Sequence, residues 1–173
     1  MAIPIVTFIG KSGAGKTTLL EKLVAHLKCQ GYRVATIKHH THSGFDIDVP
    51  GKDSWRFAQA GSDQVIIVSP KKIASYRLTD SEPSLDEIAA EVSGVDIILV
   101  EGYCQSGKPT VEVLRGEKSK ELIGSQEHWI ALVTDFPIDI NVPQYDLNDV
   151  YGIANLVIEK FLTVSPGVHR LDT

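Results

Sequence analysis

Eight residues near the amino terminus have the types and spacing needed to wrap a chain of phosphates. Residues 10–17 read Gly-Lys-Ser-Gly-Ala-Gly-Lys-Thr and fit the pattern G-x-x-x-x-G-K-[ST] at every fixed position. Glycines let the backbone curl so that consecutive N–H groups face phosphate oxygens, and a following helix adds the positive end of its dipole. The alternative is a glycine-rich turn with no ligand. The predicted phosphate ligands are Gly10, Lys11, Ser12, Gly13, Ala14, Gly15, Lys16, Thr17 and Thr18.

Two side chains of this segment and one distant carboxylate predict a metal-assisted site. Lys16 is expected to bridge the outer phosphates, and the Thr17 hydroxyl is short enough to ligate Mg²⁺. Such a site also needs a carboxylate at the end of a neighbouring strand. Glu101 is that residue, because it follows four apolar residues and precedes a glycine, whereas Asp96 begins the same strand at its far end. We therefore predict Glu101 as a metal ligand and catalytic residue; the alternative is a solvated acid at a strand end.

The elements around these residues alternate between strand and helix patterns, which is typical of an α/β fold. The predicted architecture is a three-layer sandwich of the P-loop NTPase type, with a mostly parallel sheet and an antiparallel edge. The segment 111–114 is predicted to pair antiparallel at that edge. Strands are predicted at residues 3–9, 33–38, 65–68, 71–78, 96–100, 111–114 and 130–134, and helices from the phosphate segment to Gly31 and near 53–61, 84–94 and 150–161.

Length and composition favour one domain. The chain has 173 residues, enough to bury a sizeable core, and we expect a single nucleotide-binding domain over residues 1–165 with a frayed tail at 166–173. A net charge of −5 argues against a nucleic-acid partner. No apolar run approaches the roughly 20 residues needed to span a bilayer. The amino terminus shows no signal-peptide pattern, and the two cysteines form no C-x-x-C pair, so a cytoplasmic location is expected.

Several stretches form a pattern more specific than the phosphate segment. Residues 36–39 read Thr-Ile-Lys-His, and residues 45–54 read Phe-Asp-Ile-Asp-Val-Pro-Gly-Lys-Asp-Ser. These two stretches resemble the molybdopterin-guanine dinucleotide biosynthesis protein B (MobB) family. The resemblance continues in further stretches and extends over almost the whole chain. The further stretches are 60–61 (Ala-Gly), 99–103 (Leu-Val-Glu-Gly-Tyr), 109–115 (Pro-Thr-Val-Glu-Val-Leu-Arg), 131–135 (Ala-Leu-Val-Thr-Asp) and 146–150 (Asp-Leu-Asn-Asp-Val).

The resemblance implies a GTP-binding protein with weak GTPase activity. It implies a homodimer that assists the attachment of GMP to molybdopterin, a step catalysed by a separate guanylyltransferase of the MobA type. GTP with Mg²⁺ is the implied cofactor, and molybdopterin is a further implied ligand. The segment 45–54 is then a functional loop facing phosphate or a partner. Its implied site residues are Asp46, Asp48, Lys52 and Asp53, with Asp46 and Asp48 as catalytic acids and Lys52 as a nucleotide ligand; the alternative is a solvated loop in which Asp53 caps the next helix.

Recognition of the base is less clear in the sequence than recognition of phosphate. The Asn/Thr-Lys-x-Asp element of many GTPases is absent, and Thr134 with Asp135 at a predicted strand end is the best substitute. A carboxylate there can accept hydrogen bonds from guanine N1 and N2 together. The alternative is a turn aspartate before Pro137. His39, His40 and His42 could similarly form a metal site or lie solvated on a polar loop.

Three functions fit these patterns. The first is a GTP-binding accessory protein with slow hydrolysis. The second is a P-loop kinase of a small metabolite, which would need a basic lid over the transferred phosphate. The third is an adaptor that binds nucleotide without hydrolysing it. No arginine lies in the phosphate segment, so slow hydrolysis is expected until a partner or a dimer completes the site. Lys11 could act across such a dimer; the alternative is a solvated loop lysine.

Overall fold

The computed structural model describes residues 2–40 and 44–162, so the predicted tail at 166–173 lies outside the described residues. Two compact units are present: one is the chain up to His39 together with the chain from Leu85 onward, and the other is His40–Ser84. The helices and strands, in chain order, are β1 (Ile5–Ile9), α1 (Lys16–Cys29), β2 (Val34–Lys38), α2 (Asp53–Gln59), β3 (Gln64–Ser69), β4 (Lys72–Arg77), α3 (Leu85–Ala90), β5 (Ile97–Glu101), β6 (Thr110–Leu114), β7 (Trp129–Thr134), β8 (Gln144–Tyr145) and α4 (Val150–Phe161).

The first unit is built on a six-stranded sheet in the order β2-β5-β1-β6-β7-β8. Every neighbouring pair in it is parallel. Parallel strands covered on both faces read as continuous apolar runs, and β5 has this character from Ile97 to Val100. Because all six strands point the same way, their carboxyl ends share one edge of the sheet. β1 occupies the centre of that edge.

Helices cover both faces of this sheet. Leu23 and Leu27 of α1 are fully buried in a cluster that also holds Ile153 and Val157 of α4. Burying one leucine side chain contributes about 1.5–3 kcal/mol, so this cluster anchors α1, whose first turn includes the last two residues of the phosphate segment. On the other face, Leu85 of α3 packs with residues of β5. The first unit therefore has the three layers and the mostly parallel sheet predicted for it.

The second unit contains α2 and a two-stranded antiparallel sheet of β3 and β4. Gln64 pairs with Arg77 and Ser69 with Lys72, so a tight turn joins the strands. Their faces are mostly exposed: Ile66, Val68 and Ile73 are 57%, 69% and 71% exposed. The antiparallel pairing expected at an edge of the main sheet is thus found in a separate hairpin.

One strand prediction was wrong, and its correction matters for the site. Residues 111–114 were expected to pair antiparallel at an edge, but β6 lies between β1 and β7 and is parallel to both. Glu112, in the middle of this strand, is fully buried. Its carboxylate accepts hydrogen bonds from the N–H groups of Ile123, Gly124 and Trp129 at 2.7, 3.0 and 2.9 Å, which compensates for the loss of water.

The edge strands of the sheet are instead β2 and β8; β8 has two residues and was not predicted, because so short a strand shows no periodicity. The alternative proposed for Asp53 was also wrong. The residue at the amino-terminal cap of α2 is Lys52, which makes no side-chain capping bond, and Asp53 lies 3.5 Å from Arg56 within the helix.

Candidate functional site

The predicted phosphate segment forms a loop between the end of β1 and the start of α1. Its first residue, Gly10, has φ 141°, and a Cβ atom there would collide with the carbonyl oxygen of Val113 on the neighbouring β6. Glycine is therefore required where this loop passes over the sheet. Ala14 is buried and donates its N–H to the Lys11 carbonyl at 3.2 Å, while Ser12 and Thr18 are exposed. We call residues 10–17 the P-loop.

Lys16 lies folded over the P-loop. Its ammonium group donates hydrogen bonds to the carbonyl oxygens of Gly10 at 2.8 Å and Lys11 at 3.0 Å. Burial lowers the pKa of Lys16 below its usual value; Glu101 raises this pKa and Lys38 lowers it. A partly desolvated cation at a helix start is a strong attractor for an anion, because both the charge and the helix dipole act in the same place.

Thr17 and Glu101 meet beside Lys16. The Thr17 hydroxyl donates to Oε2 of Glu101 at 2.8 Å, and the Lys38 ammonium lies 3.7 Å from Oε1. Glu101 reaches this place because β5 lies between β1 and β2, in register with Phe8 and with Lys38. Neighbouring oxygen ligands of octahedral Mg²⁺ are about 3 Å apart, given bonds of about 2.0–2.1 Å. The spacing of these two oxygens therefore fits a magnesium site.

The turn after Glu101 fixes the position of this carboxylate. Gly102 has φ 102°, and a Cβ atom on it would come within 2.7 Å of the Cβ of His39. The next residue, Tyr103, has φ 52° and stacks on the His39 ring with centroids 4.3 Å apart. The His39 N–H also donates to the Glu101 carbonyl at 2.8 Å. Backbone and ring contacts thus hold the strand end in one conformation.

A groove of about 440 Å³ opens beside the Thr17–Glu101 pair. It runs between α1 and β2, with Leu20 and Val24 on one side and Ile37 on the other. Glu21, one turn along α1 from Thr17, also lines it and is exposed.

The loop after β6 approaches the P-loop from the other side of β1. Lys11 and Glu121 form an ion pair at 3.1 Å, with side chains 44% and 69% exposed. An exposed pair of this kind contributes about 0–1 kcal/mol. The guanidinium of Arg115 lies against Gly15, with Nη2 3.3 Å from where a Cβ atom would stand. Sequence reasoning missed Arg115 as a site residue, because only the strand order of the structure shows that β6, which it follows, lies beside β1.

Thr134 and Asp135 lie at the end of β7, on the same edge of the sheet. Oδ1 of Asp135 accepts a hydrogen bond from the Gly116 N–H at 2.7 Å. The Thr134 hydroxyl donates to the Phe136 carbonyl at 2.9 Å and accepts from the Phe136 N–H at 3.2 Å. Both side chains therefore order the strand ends, and a role for Asp135 in reading guanine stays a prediction.

The acidic residues predicted from residues 45–54 lie in the second unit, where Asp46 and Lys52 are exposed. Asp48 accepts hydrogen bonds from the Val49 N–H at 2.8 Å and from the Tyr76 hydroxyl at 2.9 Å. A hydrogen bond from Ser54, together with these two, lowers the pKa of Asp48, against the effect of burial. Burial and the nearby Asp48 raise the pKa of Tyr76. Asp48 thus ties its loop to β4 within this unit.

Neither a clustered metal site nor a membrane-spanning helix is found in residues 2–40 and 44–162. No three His, Cys, Asp or Glu side chains gather there in a way that could hold a metal ion. His40 faces Phe45 with ring centroids 6.0 Å apart, and His42 lies outside the described residues. None of the helices in the same residues is both long and apolar enough to cross a bilayer.

The parallel sheet and the loop between its central strand and α1 define a protein of the P-loop fold class. A family model described as "Molybdopterin guanine dinucleotide synthesis protein B" matches residues 5–135. The chain belongs to this family, MobB, which confirms the resemblance seen in the sequence.

Curated relatives and solved structures agree with this assignment. The chain is 38% identical over 157 residues to the molybdopterin-guanine dinucleotide biosynthesis adapter protein of Haemophilus influenzae, covering 90% of this chain and 88% of the relative. It is also 38% identical to the Escherichia coli protein of the same name, over 91% and 93% of the two chains. A crystal structure of molybdopterin-guanine biosynthesis protein B matches with a TM-score of 0.69 at 28% identity, over 90% of this chain and 98% of that one. The Bacillus subtilis MobB structure has a TM-score of 0.74 at 23% identity, which supports the fold.

Proposed function

We propose that this chain binds GTP with Mg²⁺ at the P-loop and acts as an adapter in the biosynthesis of molybdopterin guanine dinucleotide. The arrangement of Lys16, Thr17 and Glu101 carries this proposal. An ammonium group and a hydroxyl–carboxylate pair stand together at the start of α1, which are the groups that a magnesium-bound triphosphate needs. The biosynthetic role is inferred from the names of the 38% identical relatives.

The triphosphate would be held by the N–H groups of the P-loop and by Lys16. Thr17 and Glu101 would hold Mg²⁺, which supplies positive charge to the outer phosphates when it is bound. Asp135 would read guanine with the carboxylate oxygen that does not accept from Gly116. In the second unit, the exposed Asp46 and Lys52, with Asp48 ordering their loop, would act on a partner.

Hydrolysis would be slow in the isolated protein and would serve an accessory role. Water would attack the γ-phosphorus, the bond to the β–γ bridging oxygen would break, and GDP and phosphate would leave. The partner that would use the bound state is a guanylyltransferase of the MobA type, which attaches GMP to molybdopterin. A cytoplasmic location follows from this role and belongs to the same proposal.

A homodimer is also proposed, with the hairpin of β3 and β4 as the contact. Both strands have an unpaired edge within their two-stranded sheet, and such edges favour pairing with another chain. The second unit also carries most of the exposed large apolar side chains of the described residues. Nine of the ten lie there: Phe45, Ile47, Val49, Phe57, Ile66, Ile67, Val68, Ile73 and Leu78. A second copy of the chain would cover them.

Calorimetric titration of GTP, GDP and ATP, with and without Mg²⁺, tests the nucleotide site. Lys16→Ala should abolish GTP binding and leave the thermal midpoint unchanged, because among the described residues the side chain bonds to loop carbonyls alone. Lys22→Ala is the matched control, since it removes an exposed lysine from the same helix. Native GTP affinity in Lys16→Ala would refute the site. GDP formation with no phosphorylated acceptor favours the accessory protein over a kinase, and no turnover with a MobA-type partner favours a non-hydrolysing adaptor.

A further inference from the structure

Two basic side chains from the loop between β6 and β7 lie against the P-loop of the same chain. Nη2 of Arg115 is 3.3 Å from the position that a Cβ atom on Gly15 would take. Cε of Lys118 is 3.3 Å from the corresponding position on Gly13. A side chain on either glycine would crowd these groups, so two basic side chains stand beside the backbone that is proposed to wrap phosphate.

The loop that carries these side chains is held by hydrogen bonds at its start and in its second half. At its start, the Arg115 carbonyl accepts from the N–H groups of Lys118 at 2.8 Å and Ser119 at 3.0 Å, and the Gly116 N–H donates to Asp135. Further along, the buried Glu112 carboxylate accepts from the N–H groups of Ile123 and Gly124 in the second half of the loop and from Trp129 at the start of β7. Burying a carboxylate costs free energy unless hydrogen bonds compensate for the lost water. The three donors to Glu112 supply these bonds and indicate a loop held in one conformation.

The charges of Arg115 and Lys118 are not neutralised within the part of the chain that the structure describes. Neither forms an ion pair there, whereas Lys11, Lys38 and Arg33 each face a carboxylate. Nε of Arg115 is buried and makes no hydrogen bond with any described residue. A buried donor without a partner costs about 1–3 kcal/mol, which a ligand that brings the guanidinium an anion can offset.

We propose that Arg115 is a phosphate-binding residue that acts within its own chain, on the phosphates of the nucleotide in the P-loop, with Lys118 adding a second charge. The proposal rests on the nucleotide site proposed above and adds a ligand to it. The planar guanidinium presents its donors in a fork that matches phosphate oxygens, and Lys118 contributes a mobile point charge.

Three variants test this inference with a fluorescent GTP analogue and Mg²⁺. Arg115→Ala should weaken binding by about 10-fold or more, the effect of one hydrogen-bonded charge, and Arg115→Lys should recover part of the loss. Arg33→Ala is the matched control. Arg33 immediately precedes β2 and pairs with Asp96 at the amino-terminal ends of the strands, whereas the P-loop lies at their carboxyl ends, so GTP affinity should not change. If Arg115→Ala does not fold, Arg115→Gln carries the same expectation, because it keeps the stem and removes the charge.

Free guanidinium ion separates phosphate binding from a structural role. Below denaturing concentrations it should restore GTP affinity to Arg115→Ala, compared with sodium chloride at equal ionic strength. A loss that guanidinium does not reverse, together with a lower thermal midpoint, would make Arg115 structural and overturn the inference. Wild-type GTP affinity in Arg115→Ala, together with loss of GTP binding in Lys16→Ala, would also overturn the inference about Arg115 and would support the nucleotide site. Wild-type affinity in Lys16→Ala would instead remove the nucleotide site itself.

Discussion

Replacing Glu101 by glutamine tests the proposed magnesium site most directly, because it changes charge with little change in shape. The amide oxygen of glutamine can still accept the 2.8 Å hydrogen bond from Thr17, so the loop and strand should keep their positions. What is lost is one negative charge, on a side chain that is only 15% exposed and faces Lys38 at 3.7 Å. Because little water reaches this carboxylate, solvent cannot compensate for the lost charge. The loss should therefore lower the affinity for Mg²⁺ most.

The expected effect is on Mg²⁺ rather than on nucleotide. Altering a group that supports a metal site lowers affinity by about 10- to 100-fold, so the magnesium midpoint for tight GTP binding should rise by that factor. At saturating Mg²⁺ the affinity for GTP should be near that of the wild type, while single-turnover hydrolysis should fall. Glu21→Gln is the matched control, because it removes an exposed acid from the same groove. An unaltered magnesium titration and hydrolysis rate would show that Glu101 is structural.

The same variant has a predictable effect on pH dependence. Lys16 has a lowered pKa because of burial, and Glu101 opposes that shift. GTP binding should weaken as pH rises through the Lys16 pKa, which lies below the usual lysine value of about 10.4. In Glu101→Gln the decline should begin at lower pH, because burial and Lys38 then act unopposed. The stability of the protein without GTP has the opposite pH dependence. Between the lowered pKa of Lys16 in the folded protein and its usual value, the unfolded chain keeps the lysine proton and the folded chain does not. The contribution of Lys16 to the free energy of unfolding therefore rises with pH across that range. An identical pH profile for both proteins would refute this electrostatic coupling.

Three further results are expected. Thr17→Ala should weaken the magnesium dependence of GTP binding by about 10-fold or more and leave binding without metal unchanged; an identical magnesium titration would remove Thr17 from the ligand set. Asp135→Asn should reduce the preference for GTP over ATP and favour xanthosine triphosphate, measured by competition, and an unchanged preference would leave Asp135 with its bond to Gly116 alone. GTPase rate per molecule should rise with protein concentration or with a MobA-type partner. If Lys11 acts across a dimer, the GTPase rate of Lys11→Ala should no longer rise with protein concentration. Fast GTP hydrolysis by dilute protein alone would contradict the requirement for a partner or a dimer.

The sequence predicted most about the site where local pattern and strand direction act together. The P-loop follows a strand that is apolar except for Thr7, and Glu101 ends another strand. In a parallel sheet both carboxyl ends must share an edge, and the structure brings Thr17 and Glu101 to 2.8 Å. What could not be predicted is strand order, because pairing partners are far apart in the chain. The hairpin of β3 and β4 shows this limit, since their residues read as strands without indicating that they leave the main sheet.

The wrong placement of β6 in the sequence prediction shows how a misplaced strand can hide a candidate site residue. Residues 111–114 were predicted to pair at an edge, whereas β6 lies inside the sheet and its central residue, Glu112, is fully buried. Its three hydrogen-bond donors come from the next loop and the next strand, so no local pattern could identify them. Once β6 is parallel and beside β1, the residue that follows it must stand at the P-loop, and that residue is Arg115. Arg115 is the basic group that we propose for the phosphates, and Glu112 fixes the loop that follows through hydrogen bonds from Ile123 and Gly124.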